Sequence, residues 1–531
     1  EDLRVNHGLP CDIEQVQSRG IRVLGVPIGD TSFKVEFAKE TVAKIEKDLA
    51  VIAHCPSLQI QFALISKSIQ HSITHLLRSI DGGAEEYADV ALQYDAAILR
   101  CVRRWVPFNE LEDRSRQLAF LPTRYGGLGL RSWAATADAA TVASWVHASS
   151  TLPSYYPWAA GAFPSLLLSK TVHHPLPGHV ARAVAAFLRL HAAAPGAQAV
   201  LESCAERGTS RHLQRRLTEE LYLTQHHSLL LNLMETEDSS HRRMTAQHKS
   251  NLGDDATFIA LPTDDWTKCS NPVWRIICAR RILAKIITTT HGHDSTTQTT
   301  PRQEEDITCP TTHRPSDAYG DFALTVNCSG ARTSAWHDKL TQCWLMLIRM
   351  SGWSASAETP HLVLGSGKRP DIRAKIGDKE VLFDVRTNTV TTAGYDSVAR
   401  CAATARYAAH TGAIKKHDDW DDPCFAMGYD FVALSHETGG HLAEETDEFF
   451  QQLVNHAGGG DPSDEARFRH YAATRLHLTN QIGVAKTILA HLPVTSTLRR
   501  RTRPLLGYVP LPPTRGFHRE PPLPLTEGTT P

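Results

Sequence analysis

The chain has 531 residues, with 56 Lys and Arg against 57 Asp and Glu, so its formal net charge is −1. That balance excludes a uniformly basic nucleic-acid coat and leaves only local patches to consider. A content of 41% hydrophobic and 21% charged residues is that of globular protein, long enough for roughly three or four domains.

In chain order, "IRVLGVPIGDTSF" (Ile21 to Phe33) reads as a short strand followed by a Pro/Gly turn. Three amphipathic helix patterns come next, over 34–55, 58–80 and 85–106, with apolar residues at three- and four-residue steps. "FLPTRYGGLGLRS" (Phe120 to Ser132) interrupts them with a Gly-rich turn, and a further helix starts at Trp133. Pro153 to Pro164 has the composition of a linker. From about Val180 to Ile287 the pattern is helical again, with "GDDAT" at Asp254 and Asp255 reading as a solvated loop. Thr288 to Asp306 is polar and Thr-rich, which predicts a flexible connection.

Beyond it the texture changes to strands mixed with helices, which predicts a compact α/β unit over about Ser334 to Leu492. Its predicted elements are a helix from Ser334, a hairpin over Ile372 to Val385, a helix over Ser397 to His417, a strand over Tyr429 to Ser435 and two closing helices. A Pro-rich tail follows from Pro504. No run approaches the ~18 apolar residues of a membrane span, and no basic-then-apolar leader stands at the start. Eleven cysteines without an even frame point to reduced thiols in an intracellular protein.

The chemistry concentrates in "RPDIRAKIGDKEVLFDV" (Arg369 to Val385). The strand period of two sets Glu380, Leu382 and Asp384 on one face and Val381, Phe383 and Val385 on the other. A hairpin turned at "IGDKE" brings Asp384 towards Asp371, with 12 residues between them. Close carboxylates repel unless a proton or cation intervenes, and their hard oxygens suit Mg²⁺ or Mn²⁺. Glu358 is a further carboxylate at the same spacing upstream, and Lys415 and Lys416 lie on the helix that follows. A structural hairpin with exposed acids satisfies the same spacing.

Other candidates carry a weaker signal. Cys309, His313, Cys328 and His337 have the residue types of a zinc site without its regular spacing; unliganded residues are the alternative. His337 with Asp338 has the look of a helix start at the surface. Basic runs over Arg207 to Arg216, Arg275 to Lys285 and Leu498 to Arg503 offer local patches, among them Arg215, Arg216, Arg280 and Arg281.

"KRPDI", the aspartate of "LFDV", an Ala-rich helix, a lysine and "FVALSHETGG" together resemble the restriction-like endonuclease of non-LTR retrotransposons, a PD-(D/E)xK fold. "GIRVLGVPIGDTSF" resembles the segment after the polymerase active site of such reverse transcriptases, and "LAFLPTRYGGLGLRS" resembles one further downstream. The resemblance implies an α+β multidomain chain with a mainly helical N-terminal thumb and linker region and an α/β PD-(D/E)xK-like nuclease domain. It implies a residual palm-like segment at 1–33, a thumb-like region at 34–150, a helical linker region at 151–287, a flexible linker at 288–306, a degenerate zinc-knuckle-like segment at 307–333, the endonuclease domain at 334–492 and a disordered tail at 493–531. It carries the metal-binding aspartates to Asp371 and Asp384 and the lysine to Lys416 or Lys415; Arg386 stands where the usual motif has its lysine. The implied cofactor is Mg²⁺ or Mn²⁺, with Zn²⁺ at the knuckle. The implied partners are a DNA target and the element RNA, with no membrane and no small-molecule cofactor, and the implied location is nuclear. The thumb-like helices are expected to grip duplex backbone. No Tyr/Phe-x-Asp-Asp occurs, so polymerisation is not expected of this chain. The alternatives are an inactive retroelement remnant, a nucleic-acid-binding scaffold, or a helical interaction protein.

Overall fold

A computed structural model of the chain describes residues 19–107, 111–151, 178–207, 211–235, 238–287, 317–326, 331–357, 369–391 and 395–492. Within them the protein is mostly helical α+β, with a two-stranded hairpin and a small mixed sheet of four strands. No helix among these residues is long and apolar enough to cross a membrane. The Pro-rich stretch at 153–164, the polar stretch at 288–306 and the tail lie outside the described residues.

The first element corrects the sequence reading. Both arms around Leu24 and Gly25 are strands, β1 (Gly20–Val23) and β2 (Val26–Gly29), paired antiparallel. Leu24 and Gly25 both take positive φ, 49° and 83°, which makes the two-residue turn that joins a tight hairpin. Helix α1 (Thr31–Ile52) follows, with the Asp30 carboxylate accepting from Phe33 N at 2.7 Å. It buries Ala38, Val42, Ile45 and Leu49 along one stripe.

The pattern over 58–80 is broken into α2 (Leu58–Lys67) and α3 (Ile73–Ser79). The break turns the Gln70 side chain inward, where it donates to Ser66 O at 2.7 Å and accepts from Arg131 N at 2.9 Å. One buried amide thereby ties the break to the Gly-rich turn. Helices α4 (Ala88–Trp105), α5 (Asp113–Phe120), α6 (Trp133–Thr151), α7 (Gly178–Ala193), α8 (Ala197–Arg207), α9 (Leu213–Met234), α10 (Ser239–Asn251) and α11 (Asn271–Arg281) complete the helical part, and the short α12 (Asp321–Thr325) follows. The "GDDAT" loop is another correction. Asp254 is buried, and its carboxylate accepts from Ala256 N and Thr257 N at 3.2 and 2.9 Å, so it organises a turn instead of meeting solvent.

The second part holds α13 (Ala331–Met350), β3 (Ser354–Ala357), β4 (Ile372–Ile376), β5 (Lys379–Asn388), α14 (Tyr395–Ala403), α15 (Tyr407–Met427), β6 (Asp430–Glu437), α16 (Glu444–Gly458) and α17 (Pro462–His491). The sheet order is β3-β4-β5-β6; the first three strands run antiparallel and β6 lies parallel to β5. Leu340, Trp344, Leu347, Phe383, Val385, Leu434, Phe449 and Leu453 form the core between one sheet face and helices α13, α16 and α17. The other face is covered by α15. The helix expected over 397–417 is divided, with Arg406 at φ 65° between α14 and α15. The start of α15 is capped from β6, where the Glu437 carboxylate accepts from Ala408 N at 3.1 Å.

The hydrophobic packing crosses the boundary drawn at 288–306. Helix α17 is 30 residues long, about 45 Å at 1.5 Å per residue. Ala472 and Leu476 belong to the sheet core, whereas Val484, Ala485 and Ile488 enter the core of the N-terminal helices. Gly483 lies between, against Trp336: a β-carbon there would stand 1.8 Å from Trp336 Cδ1. Gly483→Ala gains up to about 1 kcal/mol of helix propensity but overpacks the Trp336 ring, at about 1–3 kcal/mol. The variant is expected to unfold at lower denaturant than wild type. A rise in the midpoint would contradict this packing.

Candidate active site

The β4–β5 ladder pairs Ile372 with Phe383. Continued by one residue, the same register sets Asp371 opposite Asp384. Asp371 precedes the strand after Pro370, and its Oδ2 accepts from Val385 N at 2.7 Å. The side chains of Asp371 and Asp384 are 15% and 10% exposed, so neither is a surface acid.

The face carrying Asp384 is closed by α15. Ala409, Ala413, Lys416 and Trp420 recur at four-, three- and four-residue steps and so form one stripe. The small residues let the helix approach the sheet: Ala409, Ala413 and Ala433 pack together, and a β-carbon on Gly412 would collide with the Asn388 side chain. Further along, Leu382 packs with Trp420 and Cys424. Between these contacts, Lys416 Nζ donates to Asp384 Oδ2 at 2.8 Å and Trp420 Nε1 donates to the same oxygen at 2.6 Å. Lys415, one residue away, is exposed and off the stripe. Of the two lysine candidates, Lys416 meets the carboxylates and Lys415 does not.

His337 corrects another expectation. It lies inside α13, not at its start, and its Nε2 is 3.1 Å from both Asp371 Oδ2 and Val385 O. Two acceptors on one nitrogen require that nitrogen to carry its proton. The hydrogen bond to Asp371 raises the His337 pKa to about 9. Burial works to raise Asp371, but the hydrogen bonds from His337, Asp384 and Val385 N and the charge of His337 together hold that carboxylate below its ordinary value. Burial first, and then the hydrogen bond with Asp371 and its charge, push Asp384 up to about 6.

The result is an imidazolium, two carboxylates and an ammonium in sequence, a neutral quartet. Ligand atoms of His337, Asp371 and Asp384 lie within 4.8 Å of one another. With Nε2 of His337 protonated, the donors fit for a hard divalent cation are the two carboxylates. Cys309, His313 and Cys328, and the carboxylate of Glu358, lie outside the described residues; His337, the remaining candidate of that group, meets Asp371. Trp420 was not singled out from sequence, although it stands four residues from Lys416 on the same stripe.

The basic candidates divide. Arg215 is exposed, and Arg216 is half-buried, donating to Cys204 Sγ at 3.1 Å. Arg280 and Arg281 are buried, which overturns their assignment to a nucleic-acid-binding face. Arg280 pairs with Asp321 at 3.0 Å and also donates to Gln247. Arg281 donates to Gly127 O at 3.0 Å, to Asn251 O at 2.5 Å and to Thr123 O, and burial lowers its pKa to about 10. It clamps the Gly-rich turn to the end of α10. Arg281→Met leaves three carbonyls without that donor, so a loss of about 3 kcal/mol or more is expected in urea unfolding; a near-neutral result would show that the clamp carries little.

No protein-family model matches the chain, and no curated protein matches it.

Proposed function

We propose that this chain is a divalent-cation-dependent DNA endonuclease of the restriction-like kind, derived from a non-LTR retrotransposon polyprotein, acting in the nucleus with the element RNA as a further partner and with no polymerase chemistry of its own. The observation that supports this reading is the meeting of Asp371, Asp384 and Lys416 at the open end of the hairpin, two carboxylates and an amine drawn from three different elements. Asp371 and Asp384 would hold Mg²⁺ or Mn²⁺, which would supply Lewis-acid charge to phosphodiester cleavage.

The remaining work falls to the side chains. Val385 N and His337 fix the orientation of Asp371, and Trp420 fixes Asp384. Lys416 contributes a held positive charge of the kind that stabilises a phosphate as negative charge develops. Arg386 is engaged with Asn388 at 3.0 Å and keeps its proton, so it takes no part as a base. His337, cationic at neutral pH, is a positioning residue.

A second reading has an observation of its own. Each carboxylate already meets a cationic partner, so the quartet is electrically satisfied as a structural centre, as in an inactive remnant. The full chain incubated with supercoiled plasmid separates the two. Nicking in Mg²⁺ or Mn²⁺ that is absent in EDTA supports the nuclease. A wild type that nicks in neither metal removes the catalytic reading and leaves the structural one.

A further inference from the structure

A cavity in the helical part lies far in sequence from the carboxylate pair. It is a cleft of about 1160 Å³ walled by α2, α3, the Gly-rich turn and α9. That exceeds the ~1,000 Å³ upper range of small-molecule pockets. Six Lys and Arg side chains line it: Lys67, Arg78, Arg124, Arg131, Arg211 and Arg215. Glu219 is its one acidic lining residue, and it pairs with Arg124. In a chain with a net charge of −1, six cations to one carboxylate is a concentrated positive field.

The cations stand on both walls. Lys67 and Arg78 belong to α2 and α3, Arg124 and Arg131 to the turn, and Arg211 and Arg215 to the approach and first turn of α9. Arg78 is held by Gln214 at 2.7 Å, and Arg131 by Thr74 at 2.5 Å. These partners are neutral, so they orient the guanidiniums without cancelling their charge. Phe120 and Tyr222, both half-buried, add aromatic surface to the lining. Cations along two walls with aromatic faces between them match a flexible polyanion carrying flat groups.

We propose that this cleft binds single-stranded nucleic acid, with phosphates bracketed by the two cationic walls and bases against Phe120 and Tyr222. A duplex presents its phosphates on a convex surface and buries its base faces, so it engages one wall at most. This site is independent of the nuclease reading.

The test is fluorescence anisotropy of the full chain with ~20-nucleotide dT and U strands in EDTA, on the Asp384→Asn background so that cleavage plays no part. Binding is expected to weaken with salt with a log–log slope of roughly −3.5 to −4, from about 0.7 per phosphate contact. Lys67 and Arg215 are exposed, so Lys67→Ala with Arg215→Ala leaves the core untouched. The pair should raise Kd roughly tenfold and make the slope shallower by about 1.4. Lys44→Ala, an exposed lysine outside the cleft, should change neither. Failure of both strands to bind overturns the proposal. So does an equal loss from Lys44→Ala, or duplex of the same length binding as tightly as the strands.

Discussion

Asp384→Asn is expected to cut Mg²⁺-dependent nicking by roughly two orders of magnitude or more and to leave the metal-free protein no less stable than wild type at pH 7. The two readouts have different causes. Nicking needs the carboxylate as a donor to the cation, and an amide is a far poorer one. Stability turns on what the charge costs in the absence of metal. Asp384 is buried and faces Asp371, and its pKa of about 6 stands above the ordinary 3.8. The folded state therefore holds the proton more tightly than the unfolded state between pH 4 and 6, and stability from this group falls as pH rises through that window. Above it the ionised group costs up to roughly 3 kcal/mol. Asparagine removes that cost while its oxygen still accepts from Trp420. Against the gain stands the lost partner of Lys416, which is 20% exposed and can recruit water. The net expectation is a gain of about 1 kcal/mol at pH 7 in EDTA, vanishing near pH 4. A large destabilisation would show the Lys416 pair to be structurally dominant, and unchanged nicking would remove Asp384 from the chemistry.

The carboxylate pair was legible because hairpin geometry is local. Twelve intervening residues, a Gly-containing turn and a period-two strand define which acids oppose each other before any tertiary contact is known. The choice between Lys415 and Lys416 was not, since it depends on which stripe of α15 faces the sheet, and that stripe is marked by alanines whose message is close approach. His337 was read with the nearby cysteines because they are neighbours in sequence; its partner Asp371 is 34 residues away. Arg280 and Arg281 resembled a basic surface run because composition does not record burial. Their partners, Asp321, Gln247 and four backbone carbonyls, come from separate elements. The division between α14 and α15 at Arg406 is a backbone event with no Gly or Pro at the break.

Acid is expected to unfold the protein between about pH 5 and 4, through histidines buried in the neutral form. His226 Nε2 and His248 Nε2 are 3.1 Å apart in adjoining helices, a contact that needs a proton on one nitrogen and a lone pair on the other. His436 Nε2 accepts from Trp344 Nε1 at 2.8 Å and must likewise keep its lone pair. Burial lowers the pKa of His226 to about 4 and of His248 and His436 to about 3, against 6.5 when unfolded. Each is a base with a depressed folded pKa, so the unfolded state binds more protons between roughly pH 4 and 6.5. Stability from these groups is therefore complete above pH 6.5 and is lost as pH falls through that window. At 1.36 kcal/mol per pKa unit, His226 is worth about 3 kcal/mol and His248 and His436 up to about 5 each, and the three together rival a typical domain stability of about 5–15 kcal/mol. His337 has the opposite slope, its contribution fading as pH rises from 6.5 towards 9, but it is more exposed and so weighs less. Urea unfolding from pH 7 to 4.5 should show an uptake of two to three protons on unfolding. His436→Gln offers Trp344 a carbonyl oxygen that does not titrate in this range, so the variant should take up about one proton fewer and hold its fold to lower pH. An unfolding free energy that stays level over this interval would mean that these imidazoles are already hydrated or protonated in the folded protein.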